Sequence, residues 1–288
     1  MMDKCKAVRE NILDEVKKEI EQLGVEPTLA IIKCNDDYAS KVYVNNKFKT
    51  CESVGIKVAL VELDPNETSF TDLVNVILNC NIKHTSTILQ LPLDDKFKND
   101  EHKLLNLIEY DHDIDGLTNV NKLKLADNHS EALIPCTALA VFKIMEHEFG
   151  KSDFSGKKVC IVNRSNLIGK PLMNLLLNHN ATVTIAHSRT QDDINDFLWN
   201  NEYDVVVTGI GKNIIDETTM DRTVIIDCGI SRDENGKLLR DVQLGEFSLG
   251  NTYYEKVGTV TTACVALNVL QSWKLQNGLI LSILFYFL

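Results

Sequence analysis

The chain has 288 residues, 44% of them hydrophobic and 25% charged, with a formal net charge of −11. That length and composition belong to a globular protein with a substantial core, built as one large or two ordinary domains. The acidic balance argues against a sequence-independent nucleic-acid binder, whose affinity would come from Lys and Arg on phosphates.

The opening stretch "MMDKCKAVRENILDEVKKEIEQL" is too charged for a signal peptide and too acidic for a transit peptide. It reads as a helix with Val8, Ile12, Val16, Ile20 and Leu23 on one side. "PTLAIIKC" follows as a strand, residues 38–54 as a helix, "KVALVEL" as a strand, "FTDLVNVILNC" as a helix and "STILQLPL" as a strand. This alternation predicts a parallel α/β organisation.

A second series starts near residue 157, with "KKVCIV", "PLMNLLLNH", "ATVTIA", "YDVVVTG" and "RTVIIDCGI" as its successive elements. Two α/β units predict two lobes with a cleft between them. The helix after Pro135, "TALAVFKIMEHEF", is the expected join, and "TTACVALNVLQSW" is expected to return to the first lobe. The expected domains are residues 1–137, completed by 261–288, and a Rossmann-type unit over 138–260. Eight scattered cysteines without a C-x-x-C motif read as reduced thiols of a cytosolic protein. The terminal "GLILSILFYFL" holds about ten apolar residues where a bilayer span needs roughly twenty, so it is expected to dock on the core or a partner subunit.

Within "SKVYVNNKFKTCESVGI", Tyr43 and Lys47 lie four apart and share a helix face. Taken alone, the pair reads as a snorkelling surface lysine above a half-buried tyrosine. "VCIVNRSNLIGKP" is a strand running into a turn and a helix, the setting in which backbone N–H groups receive a pyrophosphate. Its glycine code is incomplete, because Asn163 and Ser165 stand where small residues would serve and only Gly169 is a glycine. The next strand ends in "IAHSRT", so His187, Ser188 and Arg189 replace the acid that would accept from NAD's ribose, and Arg164 sits in the first turn. Guanidinium and hydroxyl donors suit a 2′-phosphate, which indicates NADP.

"SKVYVNNK", "LQLPL", "DIDG", "PCT", "NRSNLIGKP" and "HSRT", in this order, resemble the bifunctional methylenetetrahydrofolate dehydrogenase/methenyltetrahydrofolate cyclohydrolase family over about residues 5–273. The resemblance implies a folate pocket lined by Ser40, Tyr43, Gln90, Leu91, Pro92 and Asp115. Tyr43 would stack on the pterin, Lys47 would activate or orient the hydrolytic water, Gln90 would position Lys47, and Asp115 would bind the pterin's N–H donors. On the residues alone, Gln90 reads rather as a polar strand end, and Asp115 can be a turn residue before Gly116 and Ser40 a helix-surface hydroxyl. The resemblance further implies that Asn163, Arg164, Ser165, Gly169, His187, Ser188, Arg189, Val257, Gly258 and Thr261 contact NADP. No metal is implied, nor any nucleic-acid or membrane partner, and a homodimer is.

Some positions depart from the family's pattern. "PCTALA" has Ala138 and Ala140 for Pro and Gly, and Arg240 replaces a more usual glycine. Tyr254, Glu255 and Lys256 stand at the Pro-Gly-Gly of a glycine-rich loop. Side chains at such positions can obstruct close backbone approach to a ligand. The loop is expected to close through Val257 and Gly258 with Glu255 and Lys256 turned outward. Asn163 for the first glycine is a milder change, since Asn tolerates left-handed backbone. The readings these departures leave beside the bifunctional enzyme are a dehydrogenase without cyclohydrolase activity and a folate-binding homologue that does not turn over.

Overall fold

The computed structural model describes residues 4–190, 193–216, 218, 220–229, 231–232, 238–243 and 250–280. The chain divides into two compact units, one of Arg9–Cys136 with the residues from Thr262 on, the other of Thr137–Thr261 with the residues up to Val8. Both are parallel α/β structures, as the alternation of elements predicts.

In the first unit, α1 (Lys4–Leu23) precedes β1 (Thr28–Lys33), α2 (Tyr38–Glu52), β2 (Lys57–Glu62), α3 (Phe70–Lys83) and β3 (Ser86–Leu89). The helices are crossovers of a parallel sheet in the order β2-β1-β3. Central β1 buries Leu29, Ala30, Ile31 and Ile32 completely, and each large side chain there contributes about 1.5–3 kcal/mol. Ser69 and Asp72 form a reciprocal capping box that fixes where α3 begins, worth about 1 kcal/mol. β3 stops short of "QLPL": Gln90 follows it, and the Leu91–Pro92 bond is cis. Proline has no N–H to continue a ladder. The chain then passes through a 3₁₀ turn (Asp95–Asp100), α4 (Glu101–Leu105) and α5 (Asn119–Ala126), whose short apolar patterns carry little periodicity.

The second unit begins with α6 (Cys136–Phe149), β4 (Lys158–Val162), α7 (Gly169–Asn178), β5 (Thr182–Ala186), α8 (Ile194–Trp199) and β6 (Val205–Thr208). β7 (Ile215–Asp216), β8 (Val224–Asp227), β9 (Ser231–Arg232), β10 (Leu238–Leu239), β11 (Val242–Gln243) and β12 (Thr252–Tyr254) complete its strands, with β7/β11 and β9/β10 forming short separate ladders, and α9 (Val257–Gln276) starts in this unit but from Thr262 on belongs to the first. The main sheet has the order β12-β8-β6-β4-β5 and is parallel throughout. β5 and β6 flank β4, so the winding reverses between β4 and β6. Ligands of open α/β sheets bind at the carboxyl ends of the strands at such a reversal.

The altered loop departs from expectation in two ways. Thr252–Tyr254 is a strand, pairing with β8, and α9 starts at Val257 rather than near Thr261. Lys256 takes a left-handed backbone (φ +61°), and its carbonyl accepts from Thr259 N and Oγ1, both at 2.9 Å, which turns the chain into the helix. A left-handed conformation costs a non-glycine residue roughly 1–2 kcal/mol, part of which is offset by glycine's greater freedom when unfolded. Lys256→Gly is therefore expected to stabilise the protein by about 0.5–1 kcal/mol, read as a rise of a few degrees in melting temperature. A lower melting temperature would show that the Lys256 side chain contributes more than its backbone costs.

All eight cysteines are buried thiols. Among the described residues no helix is long and apolar enough to cross a membrane. Most of the apolar carboxyl end, residues 281–288, lies outside the described residues.

Candidate active site

Helix α2 turns one face inward: Ser40, Val44 and Cys51 are buried, with Tyr43, Lys47 and Phe48 half-buried between them. Tyr43 and Lys47 thus share the inward face, and the Lys47 side chain is only 13% exposed, unlike a snorkelling surface lysine. Its Nζ donates to Gln90 Oε1 at 3.1 Å and lies 3.6 Å from Asp115 Oδ2. Gln90 is buried just past the end of β3, and its Nε2 donates to the Leu91 carbonyl at 2.7 Å, so its Oε1 is directed at the lysine. Three residues from three segments thus meet at Lys47, one through a hydrogen bond and one through an ion pair.

Asp115 is carried by the turn "DIDG", closed by Gly116 at φ +63°. A Cβ on Gly116 would fall 2.5 Å from the Leu133 carbonyl, so the turn requires glycine. Beneath it, Asp113 accepts from Leu117 N (3.1 Å), Thr118 N (2.8 Å) and Asn121 Nδ2 (3.0 Å). Burial nevertheless pushes Asp113 up from 3.8 to about 6, outweighing the hydrogen bonds from Asn121, Thr118 and Leu117. A carboxyl raised in the folded state binds its proton more tightly there. Its contribution to stability is full below about pH 4 and is lost as pH climbs through about 6. Melting temperatures of the parent are expected to fall across this window from this group, and Asp113→Asn to flatten that fall. An unchanged slope would show that Asp113 does not titrate there.

Cys136 lies close by, its Sγ donating to the Ile114 carbonyl at 3.3 Å. Burial pushes this thiol well above its ordinary range, Asp115 adds to that, and Lys47 opposes it. Such a thiol is no nucleophile at neutral pH. Ser40 is set by a residue the sequence did not single out: Asn35 Nδ2 donates to Ser40 Oγ (3.2 Å) and to the Pro92 carbonyl (2.7 Å). Asn35 thereby ties the end of β1 to the first turn of α2 and to the segment that carries Leu91 and Pro92.

In the second unit, the turn from β4 to α7 carries Asn163, Arg164, Ser165 and Gly169. A Cβ at Gly169 would lie 2.2 Å from the Asn163 carbonyl oxygen, so helix and strand approach as closely here as a phosphate-binding turn requires. Asn163 is not among the residues with positive φ, so a tolerance for left-handed backbone is not what its place uses. Its side chain braces the turn instead. At the end of β5 the chain folds tightly, with His187 N donating to Thr190 Oγ1 (2.9 Å) and Arg189 N to His187 Nδ1 (3.1 Å). Ser188, Arg189 and Arg164 are exposed, and no carboxylate follows Ala186 in this turn. These groups fit a dinucleotide bearing a 2′-phosphate.

Val257, Gly258 and Thr261 belong to the opening turns of α9, with Thr261 Oγ1 donating to the Val257 carbonyl at 3.2 Å. Lys256 is exposed as expected, and half-buried Glu255 forms an ion pair with exposed Arg240, whose guanidinium also lies 5.9 Å from the Tyr253 ring centroid. Two departures from the family's glycines are thus each other's partners. Tyr253 donates to Asp227 Oδ2 at 2.8 Å and Tyr254 to Glu148 Oε2 at 2.6 Å, anchoring the strand before this loop. A further residue missed in the sequence is Asp241, whose carboxylate accepts from Ile210 N (2.5 Å), Gly211 N (2.7 Å) and Lys212 N (3.0 Å) and shapes the loop after β6. Nothing local in "RDVQ" signals that role.

A parallel sheet with a phosphate-type turn at its winding reversal, in one chain with an α/β unit carrying a Lys–Gln–Asp set, defines a two-unit nucleotide-dependent α/β protein. Residues 4–115 match the catalytic domain, and residues 135–277 the NAD(P)-binding domain, of tetrahydrofolate dehydrogenase/cyclohydrolase. The chain belongs to that family. It is 36% identical over 281 residues to the bifunctional protein FolD of Campylobacter hominis, covering 93% of this chain and 95% of the relative. To FolD of Ruminiclostridium cellulolyticum it is 37% identical over 284 residues, covering 96% and 95%. Among solved structures, the bifunctional methylenetetrahydrofolate dehydrogenase/cyclohydrolase of Campylobacter jejuni superposes with a TM-score of 0.84 at 29% identity, covering 94% of this chain and 98% of that one. The Trypanosoma brucei enzyme, complexed with NADP cofactor and inhibitor, gives 0.81 at 28%, covering 95% of each chain.

Proposed function

We propose that this chain oxidises 5,10-methylenetetrahydrofolate to 5,10-methenyltetrahydrofolate with NADP and hydrolyses the methenyl form to 10-formyltetrahydrofolate. The observation that carries this reading is the Lys47–Gln90–Asp115 set in a chain that matches both family domains. An amine held by an amide oxygen and a carboxylate on an inward helix face is suited to handling a water molecule.

Ser40, Tyr43, Leu91 and Pro92 line the folate pocket in this reading, with the Tyr43 ring as the surface on which the pterin rests. Asp115 offers acceptor oxygens to the pterin's amino and ring N–H donors. NADP, when bound, supplies the carbon that accepts a hydride. The protein's part in that step is to position the folate methylene carbon and exclude competing water. Arg164, Ser188 and Arg189 hold the 2′-phosphate beside His187, the turn Asn163–Gly169 receives the pyrophosphate, and Val257, Gly258 and Thr261 border the nicotinamide end.

Loss of hydride leaves a cationic carbon shared between two folate nitrogens. Water adds through its oxygen and one of its protons passes to the neutral form of the Lys47 amine, leaving a hydroxyl on the carbon; that hydroxyl's proton is then transferred to N5 as the bond from the carbon to N5 breaks, leaving an N–H at N5 and the formyl group on N10. Gln90 holds Nζ in place throughout. Residues 1–137 with 261–288 would then be the folate-binding part and 138–260 the NADP-binding part. The family resemblance supports a homodimer, which sedimentation of the purified protein would test, and the eight buried thiols fit a cytosolic location.

The experiment is steady-state oxidation of methylenetetrahydrofolate by the purified chain with NADP and, separately, with NAD. Faster turnover at lower cofactor concentration with NADP is expected. Turnover with neither would favour the non-catalytic folate binder.

A further inference from the structure

The side chain of Asn163 spans the winding reversal of the second unit's sheet. It starts at the carboxyl end of β4, and its Nδ2 donates to the Gly209 carbonyl, just past the end of neighbouring β6, at 2.5 Å. Its Oδ1 accepts from Ser165 N at 2.7 Å and from Gly169 N at 3.2 Å. Two N–H donors on one side and a carbonyl on the other fix the orientation of the amide.

Helix α7 opens without a cap from its own N-cap residue, because Ile168 has no side-chain acceptor. Asn163, five residues before Ile168, supplies one. The remaining bonds of the turn are local: Ile168 N donates to Ser165 Oγ (3.1 Å) and Lys170 N to the Ser165 carbonyl (3.1 Å). The amides of Ser165 and Gly169 belong to the group through which a strand-turn-helix unit takes hold of a pyrophosphate. Here a neutral side-chain oxygen already occupies both.

We propose that Asn163 is an affinity-setting residue of the dinucleotide site, an internal competitor that holds the Ser165 and Gly169 amides until the pyrophosphate displaces it. This rests on the dinucleotide reading of the second unit and deepens it. A phosphate oxygen makes the stronger, charge-assisted bond and so prevails when the cofactor is bound. Each binding event nonetheless replaces two bonds already made rather than two amides open to water. The competition concerns the pyrophosphate alone, so it weakens NADP and NAD by the same factor. Arg164, which faces the 2′-phosphate, discriminates between them.

The test is equilibrium titration of NADPH and NADH by nucleotide fluorescence, without folate, on the parent and on Asn163→Gly, Asn163→Ala and Asn163→Asp. The Gly and Ala variants are expected to bind both nucleotides about three- to tenfold more tightly, by a common factor. Asn163→Asp puts a charged acceptor on the same two amides beside the incoming phosphates and is expected to weaken both about tenfold or more. Melting curves identify any variant that fails to fold, and either neutral variant that folds decides the matter. Looser binding by folded Asn163→Gly or Asn163→Ala would show that Asn163 only braces the turn, and would overturn the proposal. So would an effect confined to NADPH. A parent that binds neither nucleotide would overturn the dinucleotide reading itself, and this inference with it.

Discussion

Lys47→Met is expected to lose cyclohydrolase activity by about a hundredfold or more while dehydrogenase turnover stays within about tenfold of the parent. The methionine keeps an unbranched side chain of similar length on the inward face of α2 and deletes the amine that meets Gln90 Oε1 at 3.1 Å and Asp115 Oδ2 at 3.6 Å. In the proposed reaction water activation needs that amine, because a proton must leave the attacking water and a thioether cannot take it. Hydride loss from the methylene carbon needs no base and depends on placement, which Tyr43, Ser40 and Asp115 retain. Hydrolysis of methenyltetrahydrofolate, read above its spontaneous rate, is the decisive assay. A variant that hydrolyses as fast as the parent would remove Lys47 from the chemistry.

Arg164→Ala is expected to weaken NADP by about ten- to a hundredfold and to change NAD by less than about twofold. A hydrogen bond to a charged group contributes roughly 1.5–3 kcal/mol, and each 1.4 kcal/mol is a factor of ten in affinity. Arg164 is exposed in the β4–α7 turn and forms no ion pair among the described residues, so the substitution removes the proposed phosphate partner without leaving a carboxylate unpaired. Ser188→Ala acts in the same direction and less strongly, since a neutral hydroxyl makes the weaker bond. The two dissociation constants, measured by titration without folate, separate this change from one at Asn163, which moves both together. Equal losses for NADP and NAD would show that the 2′-phosphate lies elsewhere.

Much of this architecture was legible because its two series of buried strands are short, apolar and regularly spaced. β1 and β4 are central strands with nearly unbroken hydrophobic runs, and periodicity reports such strands directly. α4 and α5 escaped notice because their pattern is too short to show a period, and β12 because three residues beside altered glycine positions look like loop. The Tyr43/Lys47 spacing put both on one face of α2. That Lys47 is sheltered, with Gln90 and Asp115 as partners, depends on segments more than 40 residues away. Spacing within a helix carries no record of such distant contacts.

The substituted positions show the same limit. Asn163, Arg240 and Glu255 each looked like an isolated loss of glycine. In the folded protein Asn163 binds across two strand ends, and Arg240 and Glu255 bind each other. A substitution that costs backbone freedom can be matched by a contact made elsewhere in the chain, and only the three-dimensional arrangement reveals the match. Asp241, with three amides on one carboxylate, gave no sequence signal at all.

The most direct test of the bifunctional reading is to follow the fate of the one-carbon unit in a single reaction. Purified protein is supplied with methylenetetrahydrofolate and NADP, and NADPH, methenyltetrahydrofolate and 10-formyltetrahydrofolate are quantified together over time. One 10-formyltetrahydrofolate is expected for each NADPH, with the methenyl form passing on faster than its spontaneous hydrolysis. NADPH accompanied by methenyltetrahydrofolate that decays only at the spontaneous rate would contradict it, and would leave a dehydrogenase without cyclohydrolase activity.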